Sequence, residues 1–189
     1  MIAAACLVLG GTSVGTARAE DAGDFGWSGA GRAAETLTLG ATAGQLGDDP
    51  VYALRLGYFA KSWLGLEATI AHNPASDVHA LLHYANATAR WQTPVRLAPF
   101  VTAGLGTIHV FPGNAVNARS VTKLLLNVGG GTHFFLRDDI GLRLEARSFT
   151  VVDQQEARGG AYHYVEWSGG LTFSRPLHAP EASEMGAEP

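Results

Sequence analysis

Between Ile140 and Phe149 the chain reads IGLRLEARSF. Ile140, Leu142, Leu144 and Ala146 hold one parity, and Arg143, Glu145 and Arg147 hold the other. A strand sends successive side chains to opposite faces, so this stretch makes one hydrocarbon face and one face of full charges. A slip of one residue would exchange the two faces completely. A fold for this chain must therefore give each face its own environment, and few architectures do.

The same period recurs along the chain, broken by turn chemistry. The runs are Glu35 to Gly44, Val51 to Phe59, Trp63 to Ala71, His79 to Trp91, Leu97 to Val110, Val121 to Leu136, Ile140 to Val152 and Tyr162 to Ser174. Eight antiparallel strands follow from this count. The fourth run is Ala-rich after Asp77, a residue suited to cap a helix, but an even strand number closes a barrel and favours a strand there. Links after the first, third, fifth and seventh runs read as longer and polar, and those after the second, fourth and sixth as tight turns. That asymmetry is characteristic of outer-membrane barrels, and strands of this length suit a tilted bilayer crossing.

Parity alone does not say which face is inside. A soluble barrel would hide the Leu face and wet the charges. Three features favour the reverse. Gly and Thr share the polar face (Thr38, Gly40, Thr42; Thr102, Gly104, Gly106), which relieves crowding inside a narrow barrel. The charges on that face balance: Arg55, Arg143 and Arg147 against Glu67, Glu145 and Glu166, as an enclosed interior requires. A turn centred on Lys61 would set Arg55 directly opposite Glu67. Third, Phe59, Trp63, Trp91, Phe134, Tyr162 and Phe173 lie near strand ends, where interfacial girdles form. The lipid-facing set is then Leu54, Leu56, Leu64, Leu66, Ile140, Leu142, Leu144, Val165, Trp167, Leu171 and Phe173.

Composition agrees. Of 189 residues 16% are charged, below the roughly 25% of soluble domains. The net charge of −4 gives no basic footprint for nucleic acid. After the leader no apolar run reaches the length of a membrane-spanning helix, a test that leaves strands open. The leader itself, residues 1–19, has an apolar core from Ile2 to Leu9 and an Ala17-Arg18-Ala19 cleavage pattern, although nothing basic precedes that core. The one cysteine, Cys6, lies within it, so the mature chain has no thiol for a disulfide or a metal. Residues 20–33 read as a flexible lead-in, 34–175 as the barrel, and 176–189 as a disordered tail.

The segments Val51 to Ala71, Ala98 to Gly106, Asn127 to Phe149 and Tyr164 to Phe173 resemble the small eight-stranded outer-membrane β-barrel domains of Gram-negative bacteria, of the OmpA-transmembrane-like and OmpX-like kind. The resemblance covers nearly all of the mature chain. It implies a single up-and-down barrel in the outer membrane, with outer-membrane lipid and the barrel-assembly machinery as partners. In that family the last strand ends the chain on an aromatic residue. Here Leu171 and Phe173 fit, but sixteen residues follow Phe173.

Candidate chemistry is sparse. His79 and His83 would share a face of a helix and could ligate zinc there, but on a strand they stand roughly 13 Å apart. The sequence His83-Tyr84-Ala85 is similar to the H-x-S motif of barrel-type lipid A deacylases, with Ala85 where the nucleophile belongs. Gly129-Gly130-Gly131 lacks the Lys-Ser/Thr of a phosphate loop and points to close strand packing or a bend. The expectation is a barrel without catalysis, cofactor or metal, its interior plugged by paired charges. The loops near Asp48-Asp49, Asn73 to Asp77, Phe111 to Ser120 and Asp153 to Gly160 would serve envelope integrity, adhesion or contact with a partner of unknown identity. The alternative is a secreted, soluble lipocalin-like barrel with its Leu face around an apolar ligand.

Overall fold

The computed structural model describes residues 30–74, 78–112, 120–152 and 161–177. A 3-10 turn, η1 (Ala30–Arg32), precedes eight strands: β1 (Thr36–Leu46), β2 (Asp49–Lys61), β3 (Leu64–Pro74), β4 (Val78–Arg90), β5 (Leu97–Pro112), β6 (Val121–Phe135), β7 (Ile140–Val152) and β8 (Ala161–Pro176). Each pairs antiparallel with the next, and β8 pairs with β1, so the sheet closes into an up-and-down barrel. The fourth run is a strand, paired along its length with β3 and β5. Its own alternation explains why: Tyr84, Asn86, Thr88 and Arg90 are buried, whereas Ala85 and Ala87 are exposed.

At mid-height the charged and small residues point inward, and along the whole wall the outward face is mainly hydrocarbon. Leu54, Leu66 and Trp167 are 64%, 66% and 65% exposed, while Arg147 and Glu166 are each 1% exposed. Leu56, Leu64, Leu144, Val165, Leu171 and Phe173 are also exposed, and Ile140 and Leu142 are half-buried on the same outer face. A lipocalin-like barrel would need the opposite orientation.

Two local expectations are corrected by the register. The β2–β3 turn is centred on Ser62 and Trp63, with an irregularity between Phe59 and Lys61, so Arg55 faces Thr69 and Glu67 faces Gly57. The hairpin centre lies one residue beyond Lys61, which moves the partner of Arg55 by two residues, one strand period, from Glu67 to Thr69. Phe59 has the parity of Arg55 and points inward, buried under the Arg90 guanidinium 4.2 Å from its ring, rather than joining an outer girdle. Trp63, Trp91, Phe134, Tyr162 and Phe173 are exposed.

The links also differ from expectation. Leu46 pairs with Asp49, so β1 and β2 join through Gly47 and Asp48 alone, with Gly47 at φ +63°. A two-residue hairpin of this kind needs positive φ, which glycine adopts without steric cost. Asp49 and Pro50, expected in a loop, extend β2, and the Pro50 carbonyl accepts a bond from Asn73 Nδ2 at 2.8 Å. The longer links are those after β5 and β7; residues 75–77, 113–119 and 153–160 lie outside the described residues. We call this the loop end, and the end holding the β2–β3, β4–β5 and β6–β7 turns the turn end.

Before β1 the chain is docked. Gly31 donates from its backbone to the Asp138 carbonyl at 2.7 Å, and Arg90 Nη1 donates to the Gly31 carbonyl at 2.5 Å. Of the expected lead-in, residues 30–33 thus lie against the turn end; 20–29, the leader and residues 178–189 of the tail lie outside the described residues.

Candidate functional site

At mid-height the interior holds six ionisable side chains: Arg55 from β2, Glu67 from β3, Arg143, Glu145 and Arg147 from β7, and Glu166 from β8. Alternation along β7 delivers three of them to the lumen at successive inward positions. The site is stitched across the barrel as well as along it. Arg143 donates to both Glu67 oxygens, at 2.6 and 3.3 Å, and to Glu145 Oε2 at 3.1 Å. Arg55 reaches Glu67 at 3.4 Å, Glu145 at 3.1 Å and Glu166 at 3.3 Å. Arg147 donates to Glu145 Oε1 at 2.5 Å and to Asn127 Oδ1 at 3.3 Å. Glu145 and Glu67 are the hubs, each touching all three arginines. Formal charge within the set sums to zero, which is what an enclosed site of low dielectric demands.

Aromatic faces complete the guanidinium surroundings. Arg143 lies 4.4 Å from the Phe100 ring centre, and Arg147 lies 4.8 Å from that of Tyr84. Such stacking suits a planar, weakly hydrated cation.

The network is covered above and below. Towards the loop end the lumen is filled by an apolar cluster that includes Val51, Ala53, Leu82, Ile108, Leu125, Phe149 and Val151. Towards the turn end stand Phe59, Ala98, Phe100, His133 and Phe135, all buried, with Arg90 and η1 beneath. The described interior is therefore built of three layers, apolar, ionic and aromatic.

Sequence reasoning found the six charges and missed what surrounds them. Tyr84, Asn86 and Arg90 were legible, because they share a parity in the fourth run that opposes Ala85 and Ala87. The apolar layer was not: Val51 and Ala53 lie inside while Tyr52 and Leu54 lie outside, so both faces of that part of β2 are greasy.

The carboxylates of this arrangement are all engaged. Arginine does not lose its proton in proteins, and each of the three glutamates is paired with at least one arginine. A candidate acid or base also needs access to substrate, and both ends of this site are filled. His79 and His83 are not brought together: His79 stacks on His72 at 5.9 Å, and His83 meets His109 edge-on at 5.5 Å. Among the described residues no group of three or more potential ligands is placed to hold a metal. Ala85 faces outward and offers no nucleophile.

No family model matches the chain, and no curated protein matches it by sequence. Solved structures do. The N-terminal β-barrel domain of Pseudomonas aeruginosa OprF superposes with a TM-score of 0.63 at 18% identity, over 75% of this chain and 98% of that one. Neisserial surface protein A superposes with a TM-score of 0.58 at 13% identity, over 73% of this chain and 95% of that one. At such identities the likeness concerns the backbone alone. The closed ladder and these two superpositions agree: the chain has the fold of the small eight-stranded outer-membrane β-barrels.

Proposed function

We propose that the protein is a non-enzymatic outer-membrane barrel whose interior is closed, and which anchors its loop end for envelope integrity or for contact with an external partner. The observation that carries this reading is the inverted amphipathicity of the wall. Leu54, Leu66, Leu105 and Trp167 project outward at above 60% exposure, and the charges are sealed inside. Water would penalise that outer face by about 25 cal/mol per Å² of hydrocarbon, whereas a bilayer is its natural solvent. The filled lumen supports a structural rather than a conducting role, since about eight strands enclose room for side chains only. The paired network supports the absence of catalysis. Export by the N-terminal leader and insertion by the barrel-assembly machinery belong to the same proposal.

The experiment is fractionation with a gel run on boiled and unboiled samples, followed by planar-bilayer recording. A detergent-requiring band in the outer-membrane fraction, with a mobility shift only on boiling and no steady conductance, is the expected result. A band in the soluble fraction without a heat shift would overturn the membrane assignment. A stable open conductance would overturn the closed interior.

A further inference from the structure

The outer wall is not uniformly greasy. On β3, β4 and β5 the outward positions towards the loop end include His72, His79, His83 and His109, with Leu81 and Phe111 among them. His72 faces Leu81 and Ile70 faces His83, so His72 and His83 are diagonal neighbours across the ladder, at a backbone separation of ~7–8 Å. His109 meets His83 edge-on at 5.5 Å, and its own Nδ1 is bonded to Thr122 Oγ1 at 2.8 Å. His109 therefore serves as a fixed wall that orients the His83 ring. His72 is held by the stack with His79 at 5.9 Å.

Directly below this patch runs an apolar groove. Its upper part is bounded by Leu54, Ile70, His83, Leu105 and Thr107 and floored by Ala68 and Ala85. The lower part shares Leu56, Ala68, Ala85 and Leu105 with it and continues past Ala87 and Ala103. From His83 to Ala87 the groove follows β4 for roughly 13 Å, at about 3.3 Å per residue. Hydrocarbon fits such a bed, and imidazole N–H groups at its top are donors for an anionic oxygen.

We propose that this wall holds one anionic phospholipid, its phosphate received by His72 and His83 and an acyl chain laid in the groove over Ala68 and Ala85. The proposal rests on the membrane reading above. Imidazole suits the task because its N–H groups donate to a phosphate oxygen while the ring remains compatible with the headgroup zone. Among the described residues the only histidine facing outward on the other wall is His163, on β8, and it is bonded to Thr150 Oγ1 at 3.1 Å.

The test uses the full chain in nanodiscs of phosphatidylcholine containing a minority of phosphatidylglycerol, released into mild detergent and weighed by native mass spectrometry. One retained phosphatidylglycerol per barrel is expected. Retention should fall about tenfold in the His72→Ala/His83→Ala double variant, the value of losing a charge-assisted hydrogen bond. Ala85→Phe, which fills the groove and leaves the histidines, should lower it too, and His163→Ala should not. Equal retention of the two lipids, or equal loss in His163→Ala, would overturn the site. Each sample is first checked for its heat-shifted band. A barrel that shifts but retains no lipid sinks this site alone, whereas a chain with no shift sinks the membrane reading beneath it.

Discussion

At the scale of single residues the decisive groups are Glu145 and Glu67, because each faces three arginines at once, and Glu145 holds Arg147 the more closely of the two. Buried ion networks are weak evidence of net stability, since desolvation offsets most of the attraction. Removing one partner is another matter. Glu145→Ala leaves an uncompensated cation in the lumen and is expected to cost about 3–5 kcal/mol in reversible urea unfolding from lipid vesicles. Glu166→Ala should cost less, since Glu166 reaches only Arg55 within the network. Equal losses in the two variants would show that the hub geometry does not govern the network. Glycine has its own role nearby. A Cβ on Gly131 would run into the Leu144 carbonyl and the Glu145 backbone across the β6–β7 ladder. Gly131→Val is expected to destabilise by about 1–3 kcal/mol, as overpacking does, with a lower unfolding midpoint as the readout.

At the scale of the strand, the two faces differ by solvent. Leu105 and Leu97 lie on the outer face of β5, the first near its middle and the second at its start. Leu105→Arg is expected to cost about 2–4 kcal/mol and Leu97→Arg about 0–1, the depth dependence of a bilayer. The same vesicle unfolding assay checks both, and equal costs would argue that water surrounds the wall. This strand logic was legible in the sequence wherever one parity was charged, as from Arg143 to Arg147. It was legible in the fourth run too, where Arg90 and Asn86 oppose alanines. Pairing was harder. The turn at Ser62 and Trp63 is centred one residue beyond the hydrophobic pattern's Lys61, and only hydrogen-bond geometry reveals that Arg55 faces Thr69, two residues past Glu67. Pro50 misled for a related reason: it looks like a breaker, yet it sits at the outer start of β2, where its carbonyl is still used by Asn73.

For the molecule as a whole, the base of the described interior is fastened by Arg90. That side chain donates to the carbonyls of Ser62 and Gly31 and covers Phe59. Arg90→Ala is expected to free the residues before β1 while leaving the ladder closed. Trypsin cleavage after Arg32 should then accelerate about tenfold or more, the equilibrium worth of a charged hydrogen bond, and an unchanged cleavage rate would show that η1 is held by other means. The ladder itself has a further consequence. Thr36 faces Phe59 on one side and Pro176 on the other, so the first and last strands are neighbours like any other pair. The sheet is a ring, and where the polypeptide happens to begin is incidental to it. A short linker from Leu177 to Glu35, already joined by a 2.8 Å backbone bond, with new ends cut between Gly47 and Asp48, would give a circular permutant with the same eight pairings.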